Sequence, residues 1–343
     1  MSRVLAVRLD SDGDVLLTGP AVRALRALGP VDVLASPQGS RAAALLPGVD
    51  EVLTFDAPWS GYRPAVFDQA AVAQVVGAVA DRRYARAVVF TSFHQSPLPT
   101  ALLLRLAGVQ HVAATSEDYP GSLLDVRHRR PEGLHEVEAA LDLAHAAGGH
   151  LPAGDDGRLA VRGPLPEVHG LVPDRPYVVL HPGASVPARA PRPEDARAAV
   201  AALAGAGWPV VVTGGPTERG LTARVAEGVP GAVDLGGRTD LATLAGVLAG
   251  AAAVVVGNTG PAHLAAAVGT PVVSLFAPVV PADRWAPYGV PTVLLGDPGA
   301  PCAGTRAREC PVPGHPCLAG VDPAEVVAAV DRLTADARAG VPA

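Results

Sequence analysis

The 343-residue chain contains no long run of basic residues. Its densest basic cluster, Arg127-His128-Arg129-Arg130, is short, and the formal net charge is −6. Phosphate backbones need clustered cations, so nucleic acid is not expected as a partner. Long apolar runs are missing too. No stretch reaches the roughly 20 uncharged apolar residues of a membrane span, because the longest candidates are broken by Gly, Asp or Arg. The opening "MSRVLAVRLD" is a poor signal peptide, since its apolar segment is short and Arg8 and Asp10 interrupt it. Cysteine is scarce: Cys302, Cys310 and Cys317 are the three, an odd number that fits a reducing compartment better than a disulfide framework. These absences lead to the expectation of a soluble, cytoplasmic protein. The first strand also lacks G-x-G-x-x-G, which argues against a dinucleotide oxidoreductase. "DSDGD" opens like a calcium loop, but Val15 stands where that loop needs glycine and Ala21 where it needs glutamate.

What is present is a repeated alternation of apolar strands and Ala/Leu-rich helices. About 150 residues per domain is a usual size, so the length suggests two domains. With 49% hydrophobic residues, two cores can be filled. In the first half "RVLAVRL", "VDVLAS", "EVLTF", "RAVVFTS" and "HVAAT" read as strands. Helices are expected over "LTGPAVRALRAL", "DQAAVAQVVGAVADRRY", "PLPTALLLRLAG" and "LHEVEAALDLAHAAG". Residues 150–176, rich in Pro, Gly and Asp, break the rhythm and are expected to contain the linker. The alternation then restarts at "YVVLHPG" and closes with a helix over "DPAEVVAAVDRLTADARAG". Strands separated by helices imply parallel sheets, and continuous Val runs agree, because parallel strands are buried on both faces. The expected class is therefore α/β with two Rossmann-like domains, in which ligands bind beyond the carboxyl ends of the strands.

Four strand ends in the second half carry unusual chemistry: "HPGAS" (181–185), "TGGPTE" (213–218), "GGRTD" (236–240) and "GNTGPAH" (257–263). Glycine lets the backbone approach a ligand closely, and a following helix N-terminus presents N–H groups to an anion. Turning and capping alone also call for Gly and Ser/Thr, so any single turn is ambiguous. Four in one domain suggest a cradle for a phosphorylated ligand.

The motifs "GNTGPAHLAAAVGTPVVSLFAP", "RWAPYG", "RLDSDGDVLLTGPAVRALR", "VVLHPGAS" and "TGGPTE" resemble the glycosyltransferase family that contains the ADP-heptose:lipopolysaccharide heptosyltransferases. The resemblance spans nearly the whole chain. It implies the GT-B fold: two Rossmann-like domains facing a cleft, residues 1–165 binding acceptor and 166–343 binding the nucleotide-sugar donor, with the last helix able to pack back on the first domain. It further implies inverting, metal-independent transfer, with no cofactor and an ADP-linked sugar as substrate. Asp14 aligns with the family's catalytic carboxylate, which serves as base toward an acceptor hydroxyl. The competing structural role for Asp14 is a helix cap. "DSD" also mimics the Asp-x-Asp metal site of GT-A transferases, but it stands at the end of the first strand rather than in a nucleotide-binding half.

For the donor, the resemblance implies phosphate contacts from Thr259, Gly260 and a basic residue, Arg189 being preferred over Arg192, and a ribose contact from Glu218. His181, Ser185, Thr213, Gly214, Asn258 and His263 complete the expected donor set, although His181 and His263 also suit structural hydrogen bonding. The family commonly carries Asp where this chain has Asn258, and a Trp after the "HPGAS" turn where residues 188–193 have none. Acceptor contacts are expected from Gly13, Trp59, His94, Gln95 and Ser96, with Tyr62 beside Trp59; loop anchoring is the other reading for the aromatics. The acceptor is expected to be a glycan or small-molecule hydroxyl, with membrane contact only through a lipid-linked acceptor. Three thiols and His315 could hold zinc in principle, but the seven- and six-residue gaps between the cysteines are not those of a zinc knuckle, and packing is the preferred reading. A nucleotide-sugar epimerase and a non-catalytic nucleotide-sugar binding protein are the alternatives to transfer.

Overall fold

The structure is a computed structural model that describes residues 3–61, 64–92 and 94–339. The chain divides into two compact units, Met1–Arg162 and Gly163–Ala343. In the first, β1 (Val4–Arg8), α1 (Asp12–Leu25), β2 (Val31–Ala35), α2 (Ser40–Leu45), β3 (Val49–Thr54), α3 (Gln69–Arg82), β4 (Arg86–Val89), α4 (Leu98–Leu106), β5 (His111–Thr115), β6 (Val126–His128) and α5 (Glu136–Ala146) follow one another. The strands form one parallel sheet in the order β3-β2-β1-β4-β5-β6. Strand order therefore reverses beside β1, where β4 sits on its other side in the register Val4↔Arg86.

The second unit contains β7 (Val178–His181), α6 (Pro193–Gly205), β8 (Val210–Val212), α7 (Arg219–Ala226), β9 (Val233–Asp234), α8 (Leu241–Ala249), β10 (Ala253–Gly257), α9 (Gly260–Ala267), β11 (Val272–Leu275), α10 (Ala282–Trp285), β12 (Thr292–Leu295), α11 (Pro316–Ala319) and α12 (Pro323–Ala339). Its parallel sheet runs β12-β11-β10-β7-β8-β9, which is the same connectivity read from the opposite edge. Here the reversal falls between β7 and β10. Helix α12 packs on α6 and on β10, β11 and β12 within its own unit.

The central strands show why the Val runs form sheets. All five residues of β1 and all five of β10 are buried, as expected for strands covered by helices on both faces. Burying a Val or Leu side chain contributes about 1.5–3 kcal/mol, so the runs Val4–Val7 and Val254–Val256 anchor their units. Among the described residues no helix is long and apolar enough to cross a membrane. Four elements go beyond the sequence expectation: β6, α2 and the single-turn helices α10 and α11. Each is too short to display a hydrophobic period, and β6 carries Arg127 and His128.

Candidate functional site

In the first unit the chemistry gathers at the carboxyl end of β1, beside the reversal of strand order. Ser11 is the N-cap of α1, so the helix begins at Asp12 and Asp14 is its third residue rather than part of a turn. Asp14 Oδ2 accepts from the Ser11 backbone N–H at 3.3 Å and from the Ser11 hydroxyl at 2.7 Å. An acid in this position satisfies an N–H at the helix start and favours the macrodipole. Asp12 is occupied with α2: it pairs with Arg41 at 2.7 Å and accepts from the Ala42 N–H at 3.2 Å. Burial pushes the Asp12 carboxyl up, and Arg41 works against it.

Asp10 lies deeper. Its Oδ2 is 2.9 Å from Arg8 Nε, and its Oδ1 accepts from the Gln95 amide at 2.7 Å and the Ser60 hydroxyl at 3.1 Å. Arg8 ends β1 and is itself buried. Its Nη2 reaches Asp14 Oδ1 at 3.2 Å and donates to Ser92 Oγ at 3.0 Å. Side-chain exposure separates the three charges: 6% for Arg8, 7% for Asp10 and 23% for Asp14. Only Asp14 is open enough to meet a substrate. Burial pulls the Arg8 guanidinium down, but the carboxylates of Asp10, Asp14 and Glu136 outweigh it and raise its pKa. Burial raises Asp10 against the pull of Arg8.

A recess beside this cluster is lined by Leu9, Asp10, Trp59, Ser60, Gln95 and Ser96, among others. Gln95 is held from two sides, since its Oε1 accepts from the Ser92 N–H at 3.0 Å while its amide faces Asp10. Trp59 is tethered: its indole N–H donates to Thr100 Oγ1 at 3.1 Å, and its ring lies 5.8 Å from that of Phe55 at 57°. It is thus both a loop anchor and a wall of the recess. Ser96 Oγ accepts from the Leu98 N–H at 3.4 Å, at the start of α4. His94 is exposed, and Gly13 is buried in the first turn of α1. Tyr62 lies outside the described residues.

In the second unit the four glycine-bearing turns interlock. His181, the buried last residue of β7, places Nδ1 3.0 Å from Thr213 Oγ1 and Nε2 3.8 Å from Glu218 Oε2. Burial lowers the His181 pKa, with Glu218 opposing, so the ring bridges the two turns in its neutral form at neutral pH. Glu218 Oε2 accepts from the Gly215 N–H at 2.6 Å. Close approach of main chain requires glycine at 257, and side chains of neighbouring residues lie over Gly183 and Gly214. A β-carbon on Gly183 would lie 1.8 Å from Glu218 Oε1, one on Gly214 2.6 Å from Thr222 Cγ2, and one on Gly257 2.5 Å from the Arg189 carbonyl oxygen. The Gly214 carbonyl in turn accepts from the Gly237 N–H at 2.8 Å.

Beyond Gly257 the chain turns into α9. Asn258 is buried, and its Nδ2 has no hydrogen-bond partner. Thr259 is the N-cap, yet its hydroxyl does not cap the helix. Pro261, at the helix start, suits a position whose N–H an intact helix does not need. His263 is buried one turn further on, Arg189 is half-buried across from Gly257, and Ser185 is exposed. The assembly offers helix N–H groups, a hydroxyl, an unpaired amide and a cation within neighbouring turns, a combination suited to an anion.

A model of glycosyltransferase family 9 (heptosyltransferase) matches residues 82–315. The chain belongs to this family. A curated relative, lipopolysaccharide heptosyltransferase 1 of Pseudomonas aeruginosa, is 46% identical over 99 residues, which is 28% of this chain and 27% of the relative. The match thus spans about a quarter of that relative's length. The structure of Escherichia coli ADP-heptose lipopolysaccharide heptosyltransferase II is similar with a TM-score of 0.75 at 21% identity, covering 98% of this chain and 100% of that one. E. coli heptosyltransferase WaaC with ADP gives a TM-score of 0.68 at 21% identity, covering 96% and 99%. These likenesses show the GT-B fold, in agreement with the reading of the sequence.

In this family 9 chain the cysteine-bearing segment supports the arginine turn. Cys302 and Cys317 are buried in one core with Ala188, and Cys310 Sγ donates to the Val312 carbonyl at 3.3 Å. The Ala188 N–H donates to the Arg308 carbonyl at 3.0 Å, and the His315 imidazole faces the Ala188 backbone. Burial pushes the Cys317 thiol up to about 11, with Cys302 beside it. Among the described residues no three His, Cys, Asp or Glu side chains converge as a metal-ligand set.

Sequence reasoning did not assign roles to Arg8, Asp10, Ser60 or Ser92. The available signal was an arginine closing an apolar strand with acids two and six positions later. It does not reveal Ser92, which comes from 84 positions away along the chain.

Proposed function

We propose that the protein is an inverting glycosyltransferase that moves a heptose from ADP-heptose onto a hydroxyl of a glycan or small-molecule acceptor. The observation that carries this reading is the interlocking of the turns at 181–189, 213–218 and 257–263 through His181, Glu218, Gly183 and the Gly257–Arg189 backbone contact. These turns meet at the reversal of strand order, where open α/β sheets bind ligands. Thr259, Gly260 and Arg189 would hold the diphosphate, Glu218 the ribose, and Asn258 the sugar or the nucleotide. Thr213 and Gly214 shape the adjoining turn, and His181 locks it. His263 stays a structural residue of α9.

In the proposed reaction Asp14 accepts the proton of the acceptor hydroxyl. The hydroxyl oxygen bonds to the anomeric carbon from the face opposite the diphosphate, and the bond between that carbon and the phosphate oxygen breaks with its electron pair leaving on ADP. Electrostatic stabilisation of the leaving group by Arg189 and the start of α9 would make a metal unnecessary. Gln95, Ser96 and Trp59 would orient the acceptor. The reaction would take place in the cytoplasm, with membrane contact only through a lipid-linked acceptor.

The test is calorimetric binding of ADP, UDP, GDP and dTDP with and without EDTA. Selective, EDTA-insensitive ADP binding that weakens in Glu218→Ala or Thr259→Ala supports the reading. Preference for another base discards ADP-heptose, and binding to none overturns the nucleotide-sugar site. Asn258, at a position where the family commonly has Asp, supports a second reading as a binding protein; that reading expects ADP-heptose to bind without hydrolysis or transfer.

A further inference from the structure

Arg8 is buried between two carboxylates, and only one of them is open to a substrate. Suppose Asp14 were its sole counter-charge. Each protonation of Asp14 would leave a buried, unpaired guanidinium, a state that desolvation penalises severely. Asp14 would then be held in its ionised form and would be a poor proton acceptor. We infer that Asp10 is a positioning residue that keeps Arg8 neutralised while Asp14 is protonated, and thereby allows Asp14 to act as a base. This rests on the role proposed for Asp14.

The geometry supports a standing counter-charge rather than a second base: burial raises the Asp10 pKa, and Arg8, Gln95 and Ser60, which all favour the charged carboxylate, oppose it. Asp10 is anchored independently of Arg8 by Gln95 at 2.7 Å and Ser60 at 3.1 Å. It is closer to Arg8 than Asp14 is, at 2.9 Å against 3.2 Å. Two further acids that the described residues bring to the trio, Asp12 and Glu136, have partners of their own. Asp12 is paired with Arg41 from α2 at 2.7 Å. Glu136, at the start of α5, acts on Arg8, but its carboxylate is bound by Arg130 at 2.6 Å. Proton uptake by Asp14 therefore takes the Arg8–Asp10–Asp14 trio from one net negative charge to neutrality, with the Arg8–Asp10 pair intact throughout.

Carbon-13 NMR of protein labelled at the aspartate carboxyl carbons tests this without any substrate. The resonance that disappears in Asp14→Asn identifies Asp14. In Asp10→Asn its titration midpoint is expected to fall by about one pH unit or more, a tenfold loss of proton affinity. Adding Arg8→Gln to Asp10→Asn should return the midpoint to the wild-type value or above. An unmoved midpoint in a folded Asp10→Asn protein overturns the inference, as does failure of Arg8→Gln to restore it. Should Asp10→Asn alone not fold, the double variant, which removes both buried charges together, is titrated directly; a midpoint below wild type overturns the inference. Absence of transfer by the wild-type enzyme would count against the proposed function and leave this titration standing.

Discussion

The carboxylate of Glu218 occupies the space that a side chain on Gly183 would need: a β-carbon there would fall 1.8 Å from Oε1. The first glycine turn of the second unit is thus shaped around a residue from the next one, at 213–218. Gly183→Ala must drive Glu218 off the Gly215 N–H, which it now holds at 2.6 Å. ADP affinity is expected to fall about tenfold or more, equivalent to about 1.4 kcal/mol. Calorimetry on Gly183→Ala beside Glu218→Gln checks this, and both should move in the same direction.

Asp14→Ala should separate chemistry from donor binding. The residues proposed to hold ADP belong to the other compact unit. Nucleotide affinity is expected to stay within about twofold, while transfer falls by about 10²–10⁴ if a general base is lost. Wild-type turnover in this variant would remove Asp14 from the reaction.

His181 predicts an acid weakness of the second unit. Burial holds its folded-state pKa below the ordinary 6.5. The unfolded chain therefore binds more protons than the folded one just below pH 6.5, and stability declines as pH drops from there toward the folded pKa. Thermal unfolding at pH 7.5 and 5.5 should show this loss, and His181→Asn should reduce the difference between the two. An equal pH response in the variant would assign the acid sensitivity elsewhere.

Asp32 makes a stability prediction away from the site. It is 0% exposed, accepts from the Tyr84 hydroxyl at 2.7 Å and from Arg3 Nε at 2.9 Å. Asp32→Ala leaves the buried phenol unsatisfied and is expected to cost about 2–3 kcal/mol in urea unfolding; Tyr84→Phe should cost about 1 kcal/mol. Arg3 is partly exposed and recovers water, so it adds little to either figure.

The cysteines should differ in reactivity. Cys302 and Cys317 are buried, and the Cys317 thiol is pushed up to about 11, whereas Cys310 is half-buried. Thiolate is the reactive form, so a thiol reagent should modify Cys310 first in the native protein and the other two only on unfolding. Mass spectrometry of the partially labelled protein reads the order directly.

The two sheets were legible because Val-rich strands such as Val254–Val256 and Val210–Val212 carry their own signal of two-sided burial. The glycine turns were legible as a group, but their interlocking was not. That Glu218 lies over Gly183 depends on β7 and β8 being neighbours, which a strand pattern does not state. The first-unit cluster was legible only in part. Asp14 could be singled out from its motif, although it lies in the helix and not in a turn. Asp10 depends on Gln95, 85 positions away, which is brought to it by the pairing of β1 with β4. β6 was hidden because three residues including Arg127 and His128 show neither an apolar run nor a period.

The contact of Gly257 with the Arg189 carbonyl joins main chain to main chain. The side chains of Ser185 and Arg189 can therefore be exchanged without altering this approach, because what faces Gly257 is a peptide carbonyl common to every sequence, whereas Ala188 is fixed in the core. Residues 185 and 189 become adjustable parts on a fixed bracket. Gly257 is the opposite case: any side chain there displaces the bracket itself. Selection for new donors in this chain should accumulate changes on the turn and leave Gly257 untouched.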